Sequence, residues 1–579
     1  MGWIMQRVRA WASAPALPYE RDGKHSIPRG EVWRLCVALG FLALLEIAAF
    51  VLGGVFAVLA AYLWVGLGVF CFGFLGWQYI RAVGEDLRRG ALWGLLPLIT
   101  AFPVCFFYLD NFSFLNSEPL SELQHAYEVS RRTDLGYTEV FWFSYPSRSL
   151  LINFLPTEFL GIGMFQMRVG FSLPLFCGIL FFFAGLRRYH GGTRLASAVA
   201  GIVTAAIFAF PMMCKISRSF EMAISSVSFG LWAIGAMFLF ASRPNVVTAL
   251  VSSWTIGLLA ASFTSGLALV ALLYALLAVW LLRAFLRGDS GVSGLVAAVL
   301  CNSLVVGVCL FSSRVRPLRP RQIPFESMLD AFWKALSHVV EFRELVFIPG
   351  ELLIPLALGV LFALTVRGGL LPLILTAWCF PVVWGAANLH GKTGPQLPFA
   401  LYRALLIVPV LLYVFGRLLI FLLEKVEKQR WLTGAICIAL AASLYYPFRS
   451  VQLVCPVLQP PRPPEGREIT VIEILGFLPS VGLTPYSQAV VVDRTDEKKV
   501  ENFLASLNYF LPAWTRVPRE EPLPFTGQGE KRSGLIVATP DSPVIAQTFP
   551  GYTRTDYPKH LVFDRLHSAE VIFIVLTPQ

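Results

Sequence analysis

Carboxylates, aromatic rings and arginines crowd one stretch of the chain between residues 110 and 168. Asp110, Glu118, Glu122 and Glu128 come first, then Tyr137, Phe141, Trp142, Phe143 and Tyr145, then Arg148 and Arg168. Side chains of these types suit a polar substrate with an anionic leaving group. A carboxylate in hydrogen-bond reach takes a proton from an attacking hydroxyl, while guanidinium groups neutralise charge that develops on a phosphate. Arg148 and Arg168 are the phosphate candidates, because a guanidinium matches phosphate oxygens with a two-pronged fork. Arg168 also opens an apolar run, where the alternative is a snorkelling residue at the membrane boundary. Further along, Lys215 and Arg218 stand beside Glu221, either as a cationic clamp or as an interfacial ion pair of little energetic weight. The histidines form no HxxxH or HExxH arrangement, so no metal site is expected, although a hydrated divalent ion held by Asp110 or Glu118 is compatible with the sequence.

The elements that must position these groups are apolar. Of 579 residues, 56% are hydrophobic and 14% charged, with a mean hydropathy of +0.66, which excludes an ordinary soluble domain. The 47 Phe exclude a disordered, solvated chain. The formal charge of +11 divides unevenly: after Phe448 there are 13 Lys and Arg against 14 Asp and Glu, and up to Phe448 there are 34 against 22. The basic excess therefore belongs to the apolar part, as expected for short loops between membrane spans, and nucleic acid is excluded as a partner. Eight of ten cysteines fall inside apolar runs, with no disulfide framework.

A helix needs about 20 apolar residues to cross the hydrocarbon layer. Thirteen such runs lie near 32–52, 55–80, 91–109, 164–185, 193–213, 221–241, 246–263, 265–285, 291–311, 346–366, 368–386, 399–423 and 430–447. The seventh and eighth are parted at Thr264-Ser265-Gly266. Arg81, Arg88 and Arg89; Arg187, Arg188 and Arg194; Arg283 and Arg287; and Lys425, Lys428 and Arg430 all fall on one side, which the positive-inside rule makes cytoplasmic. Residues 1–31 lack an apolar core of signal-peptide length and read as a cytoplasmic tail. The long connections 110–163 and 312–345, and everything after 448, then face outward. The arginines 314, 316, 319 and 321 lie there against the rule. Glu46 sits within a span, where it is either functional, protonated or paired with a neighbouring helix. Trp77, Trp93, Trp142, Trp254 and Trp431 are expected in an aromatic belt at the membrane interfaces, with Trp142 also a candidate for sugar stacking.

After the last span, residues 448–465 contain PVLQPPRPPEG, a stiff proline-rich spacer. Within 466–579, AVVVD (489–493), GLIVAT (534–539) and EVIFIVLT (570–577) read as buried strands and 496–510 as an amphipathic helix. The expectation is a polytopic α-helical membrane protein of about 13 transmembrane helices, with a small C-terminal α/β extracytoplasmic domain that has no phosphate loop or GxSxG elbow of its own.

The order of features from residue 91 to 447 resembles the GT-C glycosyltransferases, particularly the aminoarabinose transferase and protein O-mannosyltransferase branch. Ser117-Glu118 stands where that branch carries an acidic pair; residues 119–130 follow as its short helix, FSYPSRSLLINFL as its proline segment, EFLGIG as its juxtamembrane motif, and Gln166-Met167-Arg168-Val169 as its Arg-led span. Glu221 in KISRSFEMAI and Arg403 in LPFALYRALLIVPVLL take the places of a later acidic and a later basic residue. The two extra spans of residues 32–90 precede the matched core. The resemblance implies inverting transfer of a sugar from a polyprenyl-phosphate donor to a lipid, glycan or protein acceptor on the extracytoplasmic face, with no cofactor required; the absence of a disulfide pattern and the compact loops point to a bacterial inner membrane. It implies Glu118 or, second, Asp110 as the base; Arg148, Arg168, Lys215, Arg218 and Arg403 on the donor phosphate; and Trp142, Tyr145 and Glu221 on the substrate.

Three positions depart from the family pattern. Ser117 replaces the usual catalytic Asp, Tyr145 the Lys before the loop proline, and Thr264-Ser265 the Thr-Lys pair. Either neighbouring carboxylates and arginines have taken over, or the scaffold is a non-catalytic subunit of envelope polysaccharide or glycolipid assembly. A transporter or flippase is the third alternative, which would call for broken helices and charges near the membrane midplane.

Overall fold

The computed structural model describes residue 6 and residues 29–107, 109, 152–153, 155–156, 159–160, 164–209, 213, 222–243, 245–262, 269–270, 273–274, 416, 478, 480–483, 489–494, 514–517, 521–525, 532–564 and 567–579. The chain divides into two compact units. One joins residues 1–107, 132–153 and 171–459; the other joins 108–131, 154–170 and 460–579.

The first unit begins with a helical hairpin. Helix α1 (Arg29–Leu52) is an apolar run of 24 residues and α2 (Gly54–Arg88) has 35. They are parted by Gly53 and Gly54, both at positive φ (61° and 50°), a conformation that side chains with a Cβ disfavour. At 1.5 Å per residue α2 is about 52 Å long, well beyond the hydrocarbon thickness. It therefore does not stop near residue 80 as its apolar run suggests, but continues two turns through Arg81, Glu85 and Asp86, whose charges are held by partners described below. Large apolar side chains line the outside of this hairpin, with Phe41 and Leu44 of α1 and Trp77 and Ile80 of α2 all more than 60% exposed. Such a surface suits lipid rather than water.

A short 3-10 turn (Trp93–Leu95) leads into α3 (Leu96–Phe106). Helix α4 (Met164–Tyr189) follows, then α5 (Arg194–Ala205), capped by Thr193, whose hydroxyl accepts from the Ala196 amide at 3.1 Å. Helices α6 (Met222–Ser242) and α7 (Val246–Ala260) form a second hairpin whose turn is closed by a capping box between Asn245 and Thr248. Helix α7 ends at Ala260, before the reversal expected at 264–266, which lies outside the described residues. Among the described residues, three helices have the length and apolar composition to cross a membrane: Gly54–Arg88, Arg168–Tyr189 and Ile224–Ser242. Of the other expected spans, 32–52 is α1, and the rest lie wholly or partly outside the described residues.

Unlike the lipid-facing hairpin, α4 and α6 are buried in protein. They meet through small residues: a Cβ added at Gly185 would lie 2.8 Å from the Gly235 Cα, and one at Gly178 would lie 2.9 Å from the Ser228 carbonyl oxygen. Close backbone approach of this kind supplies the dispersion contact that holds helices together where no hydrophobic effect operates. Trp232 locks the pair, its indole donating to the Pro174 carbonyl at 2.8 Å and its ring lying 5.0 Å from that of Phe181.

The second unit contains a five-stranded mixed sheet ordered β2-β1-β3-β5-β4, with β1 (Ala489–Arg494), β2 (Thr515–Val517), β3 (Ser533–Ala538), β4 (Tyr552–Asp564) and β5 (His567–Pro578). Strands β1, β3 and β5 are the three expected apolar runs. Parallel pairing of β1 with β2 demands a crossover, and the sequence places the helix 496–510 in that connection, outside the described residues. Val490, Val492, Ile536, Ala538, Ile574 and Leu576 point to one face and pack with Phe525, Val544 and Phe549.

Candidate functional site

Of the residues assigned chemistry from the sequence, Arg168 is described; Asp110, Glu118, Trp142, Tyr145, Arg148, Lys215, Arg218, Glu221 and Arg403 lie outside the described residues. Arg168 stands in the first turns of α4, fully buried. Its Nη1 donates to the backbone carbonyl of Leu109 at 2.5 Å. Buried guanidinium groups are tolerated only when hydrogen-bonded, so this contact fixes the residue that immediately precedes Asp110 against the beginning of α4. Nearby in sequence, Gln166 Nε2 donates to the Leu160 carbonyl at 3.3 Å and ties the EFLGIG segment to the same turn.

A second anchor lies within the first unit. Asn153, five residues after Arg148, is fully buried and donates from Nδ2 to the Ser225 hydroxyl at 3.3 Å. Ser225 is four residues after Glu221, in the first turn of α6. The contact thus ties the segment that follows Arg148 to the helix that follows Glu221. Asn153 Oδ1 has no hydrogen-bond partner among the described residues. Sequence reading passed over Asn153 and Ser225, because one Asn in LLINFL and one Ser in an apolar span carry no pattern.

The opposite ends of α2 and α4 carry charges that were read as loop positives. Arg187 is instead buried: its guanidinium reaches Asp86 Oδ1 at 2.9 Å and Glu85 Oε2 at 3.1 Å, and its Nε donates to the Ser197 hydroxyl at 2.7 Å. Ser197 in turn donates to Asp86 at 2.8 Å. Arg89 Nη1 donates to the Gly192 carbonyl and Arg194 Nη2 to the Arg89 carbonyl, each at 2.5 Å. The connection after α2 and the one after α4 therefore meet at one end of the unit, as the grouping of these arginines requires. Glu85-Asp86 at the end of a long apolar run was the signal for this cluster.

Inside the spans, Glu46 is paired with a neighbouring helix: the indole N–H of Trp64 donates to its carboxylate. Trp64 packs on Trp254 with ring centroids 4.0 Å apart. Trp254 is buried and belongs to this contact rather than to an interfacial belt, whereas Trp77 and Trp93 are exposed on the apolar outer surface. Among the described residues no three His, Cys, Asp or Glu side chains gather into a group that could hold a metal ion.

No family model matches the chain, and no curated protein matches it. Among solved structures it is similar to ArnT from Cupriavidus metallidurans bound to undecaprenyl phosphate, at 13% identity and a TM-score of 0.46 over 83% of this chain and 98% of that one. It is also similar to ArnT from Cupriavidus metallidurans in the apo state, at 14% identity and a TM-score of 0.43 over 83% and 97%.

Proposed function

We propose that this chain is a membrane glycosyltransferase of the GT-C type, which moves a sugar from a polyprenyl-phosphate donor to a lipid, glycan or protein acceptor at the extracytoplasmic boundary of the membrane. The observation that carries the reading is the buried hydrogen bond from Arg168 to the Leu109 carbonyl. The reaction needs a base facing the acceptor hydroxyl and a cationic clamp on the lipid phosphate, both at a span end where the lipid tail stays in hydrocarbon. With Leu109 held against α4, Asp110 follows directly from a fixed point at such an end.

In this reading Glu118, or Asp110 in its place, accepts the proton of the acceptor hydroxyl, which displaces the phosphate with inversion. Arg148, Arg168, Lys215, Arg218 and Arg403 balance the charge on the departing lipid phosphate, and Trp142, Tyr145 and Glu221 hold the substrate. The test is transfer from a panel of radiolabelled polyprenyl-phosphate sugars in proteoliposomes, comparing wild type with Glu118→Gln and Asp110→Asn. Transfer lost in one variant and kept in the other identifies the base. No transfer from any donor sinks the enzymatic reading.

The second reading, a non-catalytic subunit on the same scaffold, is favoured by Ser117, Tyr145 and Ser265 standing where the resembling family carries Asp, Lys and Lys. Specific retention of the lipid carrier without turnover is the outcome it expects.

A further inference from the structure

The ends of α1, α2, α4 and the α6–α7 turn enclose a cleft of about 570 Å³, and each of these elements contributes an arginine to it: Arg34, Arg81, Arg188 and Arg243. Four guanidinium groups around one cleft repel one another unless something compensates them. The compensation within the protein is small. Glu85 reaches Arg81 at 3.2 Å and Arg188 at 3.8 Å, but its single charge is already shared with Arg187 at 3.1 Å. Arg34 and Arg243 make no ion pair among the described residues. Asn245 and Thr248, which also line the cleft, are spent on each other in the capping box of α7 and bring no counter-charge.

One wall is apolar, formed by Phe74 of α2 and Leu239 of α6. On the same helix as Phe74, Phe70 and Trp77 belong to the exposed, lipid-facing surface. A charged pocket with an apolar lip next to lipid is shaped for an amphiphile with its anionic head inside.

We propose that this cleft is an anion site that takes a phosphate-bearing ligand, with the guanidinium groups of Arg34 and Arg243 as its unspent donors. Guanidinium recognises phosphate through paired N–H donors, and a ligand carrying one or two negative charges offsets the repulsion that the fold leaves uncompensated. Arg188 lies near the C-terminal end of α4, the opposite end from Arg168, so the site is separate from the one proposed for transfer. The phosphate has two sources of the same chemistry: the head of an anionic phospholipid in the adjoining leaflet, or a soluble phosphate ester.

The experiment uses the full chain in phosphatidylcholine nanodiscs, with dioleoyl phosphatidic acid followed by native mass spectrometry and inorganic pyrophosphate followed by calorimetry. Wild type is compared with Arg34→Gln, Arg243→Gln and, as a control at the same end of α2 but outside the cleft, Arg88→Gln. Saturable one-to-one binding is expected, weakened at least fivefold in each of the first two variants and unchanged in the control. Binding of phosphatidic acid alone assigns the lipid source, and binding of pyrophosphate assigns the soluble one. The absence of saturable binding by either probe overturns the proposal, as does an equal loss in Arg88→Gln, which marks diffuse attraction of a basic membrane face. Unfolding midpoints of the variants within about one degree of wild type separate lost binding from lost fold; a cleft variant that fails that check is replaced by its Lys counterpart, which keeps the charge and loses the fork.

Discussion

Arg168 and Leu109 stand 59 residues apart in the chain, yet the guanidinium of one and the carbonyl of the other form a buried hydrogen bond of 2.5 Å. Replacing Arg168 with Gln shortens the donor and leaves the carbonyl unmet, at a cost of about 1–3 kcal/mol. The expected result is a lower unfolding midpoint together with a fall in turnover larger than the fall in donor affinity, since the carbonyl is next to Asp110. Arg168→Lys keeps a donor and recovers part of both. A loss confined to donor affinity, with stability and turnover intact, instead makes Arg168 a pure phosphate ligand.

The strands that were legible in the sequence are those with both faces covered. Leu535, Ile536, Val537 and Ala538 of β3 are all fully buried, and an uninterrupted apolar run reflects that. Strand β2 has three residues, too few for any alternation to show. Strand β4 exposes Thr553, Thr555 and Asp556 and carries Pro558 in its middle, which suits an edge strand and imitates a loop. Among the helices, apolar length located α1, α4 and α6 well. It lost the end of α2, because Arg81, Glu85, Asp86 and Arg88 look like a loop until the partners of Glu85 and Asp86 on α4 and α5 are known. The same blindness applies to the site: residue type nominated Arg168, but hydrophobicity says nothing of which carbonyl a buried guanidinium will meet.

The Arg187–Asp86 pair offers a sharper energetic test. Both side chains are almost completely buried; removing Arg187 strands the Asp86 charge at a cost of about 3–5 kcal/mol, whereas removing Asp86 leaves Arg187 with Glu85 as its remaining counter-charge. Asp86→Leu and Arg187→Met should each lower the yield of folded protein in detergent, while the double variant costs less than the sum of the two. A double-mutant cycle on unfolding midpoints measures the coupling. Additive losses remove the pair from the determinants of this end of the bundle.

Glu46 separates the transporter reading from the others. Its carboxylate accepts the Trp64 indole N–H, an arrangement that a neutral amide oxygen reproduces. Glu46→Gln is therefore expected to keep stability and transfer activity, with Trp fluorescence unchanged. Glu46→Leu removes the acceptor of the Trp64 indole and costs about 1–3 kcal/mol. Loss of function in Glu46→Gln without loss of fold requires an ionisable group at this depth, and then proton-coupled transport gains over glycosyl transfer.

Helices α4 and α6 approach most closely at Gly185 and Gly235, where the backbone of one element lies against the backbone of the other. Neither side can yield by rotating a side chain, so even Ala at 185 must push the helices apart. Overpacking of this kind costs about 1–3 kcal/mol. It also removes the contact on which association in lipid depends. Gly84 of α2 is the internal control: a Cβ there meets nothing within 4 Å, and a helical Gly→Ala change in open space gains about 0.5–1 kcal/mol. Gly185→Ala is expected to lower the unfolding midpoint in detergent, and Gly185→Leu to abolish the monodisperse folded species, while Gly84→Ala leaves the midpoint unchanged or raised. A Gly185→Leu protein that folds with the wild-type midpoint contradicts this packing of α4 on α6, and with it the path by which Ser225 at the start of α6 is held beside Asn153.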